Sequence, residues 1–224
     1  MMRLGVLASG SGSNLQAILD ACAQRRIEAK VGAVVCNVPG AWALERANAA
    51  NVPAILLPHG AYPRREEYDA RIVEELRRHD VDLVCLAGFM RIVTPVLLRA
   101  FPERVLNIHP SLLPAFPGMH AVRQALAAGV RITGCTVHIV DEGTDTGPIV
   151  LQAAVPVLDG DSEETLAARI LVQEHRAYPR AIDLVASGRA TATGRKVSVR
   201  AMVGDPARTI ASPPLDDSPG SPNG

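Results

Sequence analysis

The chain has 224 residues and a formal net charge of zero, since 23 basic side chains balance 23 acidic ones. Hydrophobic residues make up 48% of it and charged residues 21%, as in soluble globular proteins with a sizeable core. A nucleic-acid surface needs a basic excess, and a transmembrane helix needs ~20 consecutive apolar residues; the sequence has neither. We therefore expect small-molecule partners and no nucleic-acid or membrane partner, and the sequence leaves a monomer and a homodimer equally open.

The four cysteines, Cys22, Cys36, Cys85 and Cys135, are far apart and form no C-x-x-C pair. Three of them lie in apolar runs, which indicates buried reduced thiols rather than a disulfide framework or a zinc site. The apolar N-terminus is short and leads directly into a glycine cluster, so it predicts a first strand and not a signal peptide. These features predict a cytoplasmic protein without a bound metal.

Short apolar runs alternate with segments of helical periodicity through most of the chain. Strands are predicted at 3–8, 31–36, 53–57, 82–87 and 104–109, and helices at 13–26, 41–51, 64–78, 94–101 and 119–128. The extended runs 133–140 and 148–157 have no helix between them and are predicted to pair antiparallel. The repeated β-α-β order predicts one α/β domain, a mostly parallel, twisted, Rossmann-like sheet with helices on both faces and antiparallel strands toward the C-terminal part.

A long helix is predicted at 162–187. Asp161 and Glu164 have the spacing of a capping box at its start, and Gly188 is a candidate stop. Pro179 is expected to kink or break this helix near Tyr178. Residues 205–224 contain five prolines together with Ser, Gly, Asn and Asp, a composition that buries little apolar surface. We predict one domain at 1–204 and a disordered tail at 205–224.

A glycine-rich loop follows the first predicted strand and opens the first predicted helix, with the sequence Ser9-Gly10-Ser11-Gly12-Ser13-Asn14-Leu15. A helix N-terminus offers free N–H groups and partial positive charge, and glycines let an anion approach the backbone. The loop therefore predicts a phosphate site; the alternative is an ordinary turn with a serine cap. A dinucleotide is not favoured, because Leu15 stands where the third glycine of G-x-G-x-x-G belongs, and no suitable lysine follows for a Walker A loop.

Two polar side chains, Asn107 and His109, interrupt the fifth predicted strand. Strand side chains alternate with a period of two, so both point to the same side. They also lie at the carboxyl end of the strand, where open α/β sheets place their sites. An amide donor beside an imidazole can stabilise a developing oxyanion, and the imidazole can also move a proton. The alternative is that neighbouring loop backbone satisfies both side chains.

An acidic, glycine-bearing loop at residues 141–148 joins the two antiparallel runs. Loops of this composition usually make ordinary turns. A carboxylate such as Asp145 would favour the imidazolium form of His109, but spacing alone does not bring the two together. Three further residues are weaker candidates: His138 fits a sheet face as well as a site, Glu174 is expected on a solvated helix face, and Arg91 is expected at the carboxyl rim of the sheet.

Four motifs, in this order and at these separations, resemble the folate-dependent formyltransferase family over about residues 2–200. They are Ser9-Gly10-Ser11-Gly12-Ser13-Asn14-Leu15-Gln16, Leu86-Ala87-Gly88-Phe89-Met90-Arg91-Ile92, Asn107-Ile108-His109-Pro110-Ser111-Leu112-Leu113-Pro114, and Gly134-Cys135-Thr136-Val137-His138 with Asp145-Thr146-Gly147-Pro148. Several folate formyltransferases share the later motifs. The glycine-rich loop narrows the resemblance to the branch that formylates glycinamide ribonucleotide (GAR) and the branch that hydrolyses formyltetrahydrofolate.

The resemblance implies a reaction and a set of residue roles. The substrate amine adds to the formyl carbon of 10-formyltetrahydrofolate, a tetrahedral oxyanion forms, and the folate nitrogen leaves with a proton. Asn107 and His109 would stabilise the oxyanion, His109 would be the general acid, and Asp145 would keep it charged. The GAR-binding residues implied by the resemblance are Gly12, Ser13, Asn14, Leu15 and Glu174. The folate-lining residues implied by it are Met90, Arg91, Ile92, Val93, Asp141 and Arg65, whose register relative to Arg64 stays open.

Other functions fit the sequence less well. A methionyl-tRNA formyltransferase needs an additional, usually basic, tRNA-binding domain, whereas only a short neutral tail follows residue 200. The formyltetrahydrofolate hydrolase carries a regulatory domain before its catalytic one, and here the first strand is predicted from residue 3. A nicotinamide-dependent oxidoreductase, or a phosphometabolite-binding protein without catalysis, would leave the pair Asn107 and His109 unexplained.

Overall fold

The computed structural model describes residues 1–200 of the 224-residue chain. A seven-stranded sheet consists of β1 (Met2–Ala8), β2 (Ala29–Cys36), β3 (Ala54–Leu56), β4 (Leu83–Leu86), β5 (Val105–His109), β6 (Ile132–Ile139) and β7 (Ile149–Pro156). The six α-helices of the described residues are α1 (Ser13–Ala23), α2 (Trp42–Ala49), α3 (Arg65–Arg78), α4 (Pro95–Ala100), α5 (Ala121–Ala127) and α6 (Glu163–Ala186). The predicted strands and helices are therefore confirmed, with boundaries that differ by a few residues.

The strands lie in the order β3-β2-β1-β4-β5-β6-β7. β1 to β5 pair in parallel, whereas β6 pairs antiparallel with β5 and β7 pairs antiparallel with β6. The predicted fold class, a mostly parallel sheet with antiparallel strands in its later part, is confirmed. The chain runs outward from β1 to β3 and then continues on the other side from β4. Sheets of this kind bind ligands where the strand order reverses, which here is at the carboxyl ends of β1 and β4.

The sheet is covered on both faces, and the side chains of β1 show how. Leu4 and Val6 pack into one core with α1, α2, α5 and α6, whereas Leu7 packs into the opposite core with α3 and α4. A strand that is buried on both faces has a continuous apolar sequence, as β1 and β4 do. Each fully buried aliphatic side chain contributes about 1.5–3 kcal/mol, so the strands form a rigid support for the loops at their ends.

The long helix α6 runs without interruption through Pro179, so the predicted break at this proline is wrong. Proline removes one backbone hydrogen bond and crowds the preceding turn, at a cost of about 3 kcal/mol. Here Tyr178 and Ile182 on either side of it are fully buried in the sheet core. The Tyr178 hydroxyl lies 3.0 Å from the carbonyl oxygens of both Leu86, the last residue of β4, and Leu106 in β5. This packing holds the helix against the sheet on both sides of the proline.

The predicted cap of α6 is wrong by one residue. The capping box is formed by Ser162, whose hydroxyl accepts a hydrogen bond from the Thr165 N–H, and by Thr165, whose hydroxyl accepts one from the Ser162 N–H. Asp161 instead pairs with Arg169 at 2.6 Å. Gly188 follows the last turn with a φ of 68°, the left-handed conformation expected of a glycine stop.

Two features were not predicted: a short 3-10 helix at His59–Ala61, and a two-stranded hairpin of β8 (Ala190–Thr193) and β9 (Lys196–Val199). The turn of this hairpin contains Gly194 with a φ of 59°. The predicted tail at 205–224 and the domain boundary at 204 lie outside the described residues. No helix within residues 1–200 is both long enough and apolar enough to cross a membrane.

Candidate active site

The glycine-rich loop, residues 9–14, leaves the carboxyl end of β1 and turns sharply into α1. Gly12 is the N-cap residue with a φ of 67°, and a Cβ there would lie 2.8 Å from the Cα of Ala43. Only glycine fits this position, because both the left-handed backbone and the contact with α2 exclude a side chain. In the described part of the chain, no side chain caps this helix end and its first turn has no acidic residue. The first N–H groups of α1 are therefore available to an anion.

The loop is fixed from two neighbouring helices. The Ala43 N–H of α2 donates to the Gly10 carbonyl at 3.1 Å, and the Arg46 guanidinium donates to the Ser11 carbonyl at 2.8 Å. On the other side, the Asn14 amide donates to the Glu174 carboxylate of α6 at 2.7 Å, and both side chains are buried. Burial raises the pKa of Glu174 above its ordinary value, and the bond from Asn14 offsets only part of this rise.

Glu174 is buried, so the default expectation that it lies on a solvated helix face is wrong. The residue lies 160 positions after Asn14, yet the structure brings the two into contact. A sequence pattern carries no signal for such a contact; the resemblance to formyltransferases assigned both residues to GAR binding but did not predict that they meet.

Asn107, His109 and Asp145 converge at the carboxyl end of β5. Asn107 and His109 point to the same side of the strand, and Asp145 lies in the loop that joins β6 to β7, with a φ of 54°. The Nδ1 atom of His109 is 3.3 Å from Oδ2 of Asp145, and the Asn107 amide nitrogen is 3.5 Å from Oδ1. The structure thus brings Asp145 to the pair Asn107 and His109, a contact that sequence spacing alone did not predict.

The ring of His109 lies between two acceptors. Its Nε2 atom is 2.8 Å from the Phe116 carbonyl oxygen, while its Nδ1 atom faces Asp145. A neutral imidazole has only one N–H group, so the imidazolium is the form that satisfies both contacts. The ring is buried, which strengthens these electrostatic interactions relative to bulk water. The arrangement therefore favours a histidine that can donate a proton.

Asp145 is ionised in this setting. Burial raises the pKa of its carboxyl group, but hydrogen bonds from His138 and from the Gly118 N–H, together with the charges of the two nearby imidazoles, outweigh that effect. The pKa of Asp145 therefore lies below its ordinary value. The Gly118 N–H donates to Oδ2 at 2.8 Å, which fixes the same oxygen that faces His109.

The structure also assigns a place to His138, which the sequence left undecided. Residue 138 pairs with Asn107 across β5 and β6. Its Nε2 atom is 3.2 Å from the Asn107 amide nitrogen and 3.5 Å from Oδ1 of Asp145. His138 is therefore a fourth member of the site. The sequence could have indicated this position if the antiparallel pairing of β5 and β6 had been known, because directly paired residues such as Asn107 and His138 share one face of the sheet.

The residues that the resemblance assigned to folate lie on three segments. Met90, Arg91, Ile92 and Val93 are on the loop between β4 and α4, and Met90 and Ile92 are 68% and 62% exposed. Asp141 accepts hydrogen bonds from the Gly143 N–H and the Thr146 hydroxyl, within the loop that carries Asp145. Arg65 begins α3, whereas Arg64 precedes the helix and pairs with Glu67 at 2.7 Å. Among the described residues, no cluster of three or more His, Cys, Asp or Glu side chains is arranged to hold a metal ion.

Comparison with known proteins identifies the family. The family model described as formyl transferase matches residues 2–182. The chain belongs to the formyl transferase family. Its similarity to phosphoribosylglycinamide formyltransferase of Escherichia coli (strain K12) is 47% identity over 188 residues, which cover 84% of this chain and 89% of that protein. It is also similar to a crystal structure of glycinamide ribonucleotide transformylase 1 from Symbiobacterium toebii, with a TM-score of 0.88 and 57% identity, covering 89% of this chain and 94% of that one.

Another relative is a much longer protein, of which this chain matches only a small part. The trifunctional purine biosynthetic protein adenosine-3 of Drosophila pseudoobscura pseudoobscura is 50% identical over 188 residues, and the match covers 83% of this chain but 14% of the length of that protein. This similarity concerns one segment of the trifunctional protein. The four motifs of this chain lie after β1 and into α1, at the end of β4 and in the loop after it, at the end of β5 and in the turn after it, and in β6 and the loop that follows.

Proposed function

We propose that the chain transfers the formyl group of 10-formyltetrahydrofolate to the amine of GAR, in purine biosynthesis. The observation that carries the proposal is the position of His109, held between the carboxylate of Asp145 and the Phe116 carbonyl beside the amide of Asn107. An imidazolium and an amide donor on one side of a strand suit a reaction in which negative charge develops on an acyl oxygen.

The proposed mechanism is direct attack of the amine on the formyl carbon. The Asn107 amide and the His109 imidazolium stabilise the tetrahedral oxyanion, an interaction worth about 10²–10³ in rate for each donor. His109 then donates a proton to the folate nitrogen as the bond between that nitrogen and the formyl carbon breaks. The attacking amine gives up one proton, which restores the imidazolium, and Asp145 stabilises the charged ring through the 3.3 Å contact. His138, 3.5 Å from Asp145, extends this hydrogen-bonded group and helps to orient the carboxylate.

We place the phosphate of GAR at the glycine-rich loop, bound by residues Gly12, Ser13, Asn14 and Leu15. The uncapped N-terminus of α1 supports this assignment, because its N–H groups and partial positive charge suit a phosphate. The Oδ1 atom of Asn14 is buried and has no hydrogen-bond partner among the described residues. Buried polar atoms almost always have a partner, so a bound substrate would complete this site. Glu174, joined to Asn14, would bind the ribosyl-glycinamide part.

The phosphate-binding end and the catalytic end of the proposed site lie close enough for one small substrate to reach both. β1 carries the glycine-rich loop and β5 carries Asn107 and His109, with β4 between them. Adjacent strands are about 4.8 Å apart, so the two strand ends are separated by roughly 10 Å. We place the folate between the 88–94 loop, with Met90, Arg91, Ile92 and Val93, and the loop at 141–145, with Arg65 toward its outer end. The substrates are small molecules, and we propose neither a metal nor a nucleic-acid or membrane partner.

A first experiment follows the deformylation of 10-formyltetrahydrofolate by the purified chain, with GAR present and with GAR omitted. We expect deformylation that depends on GAR; equal rates in both mixtures would indicate the hydrolase instead. A thermal melting experiment tests the oxidoreductase alternative. A folate analogue should raise the melting temperature and NAD should not, and the opposite result would contradict the proposal.

A further inference from the structure

The loop that connects β4 to α4, residues 88–94, carries four side chains that we place against the folate. Two of them, Met90 and Ile92, are 68% and 62% exposed, whereas Val93 and Phe89 in the same loop are partly buried against the core formed with α3 and α4. A surface loop that is only partly anchored by buried side chains opens easily unless neighbouring elements also hold it. Its conformation therefore depends on hydrogen bonds from the rest of the fold as well as on this packing.

Ser9, the residue directly after β1, and residues of α3 provide these contacts. At the beginning of the loop, Ser9 donates its N–H to the Gly88 carbonyl at 3.1 Å and accepts the Met90 N–H on its hydroxyl at 2.9 Å. At the end of the loop, the Thr94 N–H donates to the carboxylate of Asp69 at 2.5 Å. Between these points, the Arg91 guanidinium lies 5.2 Å from the centre of the Tyr68 ring, a cation–π contact.

Asp69 is an unusual residue for its position on α3. It is only 3% exposed, and it lies one residue after Tyr68, which is 1% exposed. Burial raises the pKa of the Asp69 carboxyl, and the bond from Thr94 and the charge of Arg91 reverse only part of this rise. A buried carboxylate is unfavourable for stability unless its partners compensate fully. We therefore attribute the presence of Asp69 at this position to the hydrogen bond it accepts from the Thr94 N–H.

We propose that Asp69 is a positioning residue for the formyl donor: by accepting the Thr94 N–H it holds the 88–94 loop in the conformation that contacts the folate. The inference rests on the proposed function, since it assumes that this loop lines the folate site. Asp69 itself touches the loop backbone and acts on the substrate only through it. Without the acceptor, the Thr94 N–H is left unpaired in a buried place, and the loop is expected to open to reach water.

The test compares Asp69→Ala with Asp69→Asn, which keeps an oxygen acceptor for the Thr94 N–H. Glu75→Ala is the matched control: Glu75 is a buried carboxylate on the same helix whose hydrogen bonds are to Arg71 and Arg78 and not to the loop. For Asp69→Ala we expect the KM for 10-formyltetrahydrofolate to rise about tenfold, with the KM for GAR unchanged. Asp69→Asn should restore most of the affinity, and Glu75→Ala should leave both KM values unchanged.

The melting temperatures of the Asp69 variants distinguish a positioning role from a purely structural one. Because burial raises the pKa of the Asp69 carboxyl, its ionisation in the folded state is unfavourable, and Asp69→Asn should melt at the same or a higher temperature than the wild type. The inference is overturned if Asp69→Ala leaves the folate KM unchanged, or if Glu75→Ala raises it equally. Amide hydrogen exchange gives a readout that does not need catalysis: residues 89–94 should exchange faster in Asp69→Ala and not in Glu75→Ala. If the wild type transfers no formyl group, the proposed function fails, and the exchange result alone decides whether Asp69 holds the loop.

Discussion

The substitution Asp145→Asn removes the charge of the carboxylate while keeping its shape. Oδ2 of Asp145 now faces two donors, the His109 ring at 3.3 Å and the Gly118 N–H at 2.8 Å, and Oδ1 faces the Asn107 amide at 3.5 Å. In either orientation, the new NH₂ group of the asparagine must face a donor. A hydrogen bond to a charged group is worth about 1.5–3 kcal/mol, so kcat should fall about ten- to a hundredfold.

The same substitution should also change the pH–rate profile. The pKa of Asp145 lies below its ordinary value of 3.8, so the wild-type chain should keep an ionised carboxylate beside His109 as the pH falls to that value. An asparagine does not titrate, so the acid limb that reports this carboxyl group should be absent from the profile of the variant. The assay measures kcat and kcat/KM for formyl transfer as a function of pH, down through the range in which carboxyl groups titrate.

A matched control is Asp159→Asn, which removes a carboxylate whose side chain is 90% exposed and which pairs with Arg131 on the surface. It should leave both the rate and the profile unchanged. Full activity of Asp145→Asn with an unchanged profile would refute the reasoning, because Asp145 would then be a turn residue without influence on His109.

Three further substitutions test separate parts of the site. His109→Ala should lower kcat about 10²–10⁴-fold while a phosphate ligand still raises the melting temperature; normal turnover would remove His109 from the mechanism. Gly12→Ala introduces a side chain at a φ of 67° and 2.8 Å from the Cα of Ala43, so it should lower the free energy of unfolding by at least about 1–2 kcal/mol and raise the KM for GAR. Urea denaturation and initial-rate kinetics measure these two effects, and a variant with wild-type stability would argue against the described loop. Because the pKa of Glu174 is raised in the folded state, its ionisation lowers the stability of the folded chain as the pH rises from the ordinary carboxyl pKa of 4.5 through the raised value. Glu174→Gln should therefore melt at an equal or higher temperature than the wild type at neutral pH. Below pH 4.5 this difference in melting temperature should disappear. A lower melting temperature for Glu174→Gln at neutral pH would contradict that sign.

Local patterns predicted much of the fold. Apolar runs gave β1 and β4, because strands that are buried on both faces contain little else than aliphatic residues. The order of strands and helices then limited the topology to a parallel sheet with its site at the carboxyl edge. The spacing of Asn107 and His109 placed both on one side of β5, since alternation along a strand depends only on local geometry.

The failures lie where tertiary packing overrides local preference. Pro179 lies within a continuous α6 because Tyr178 and Ile182 are buried beside it. The start of the same helix uses Ser162 and Thr165, one residue after the predicted pair, since several neighbouring residues can cap and local spacing does not choose among them.

Contacts between distant segments were the least accessible from the sequence. Glu174 meets Asn14 across 160 positions, and Asp69 meets Thr94 across 25. Neither contact produces a periodic signal, because each depends on how a helix packs against the sheet. The hairpin of β8 and β9 was missed for another reason: its strands have four residues each, although a Gly-Arg turn between alternating runs is a recognisable signal.

The most direct test of the central claim, that His109, Asn107 and Asp145 form a site for formyl transfer to an amine, is the product balance of the reaction. Mass spectrometry would count formylated GAR against tetrahydrofolate released from 10-formyltetrahydrofolate by the wild-type chain. We predict one formylated amine for each folate released and no release when GAR is omitted. Release of folate without a formylated amine, or no release in the complete mixture, would contradict the proposed chemistry of this site.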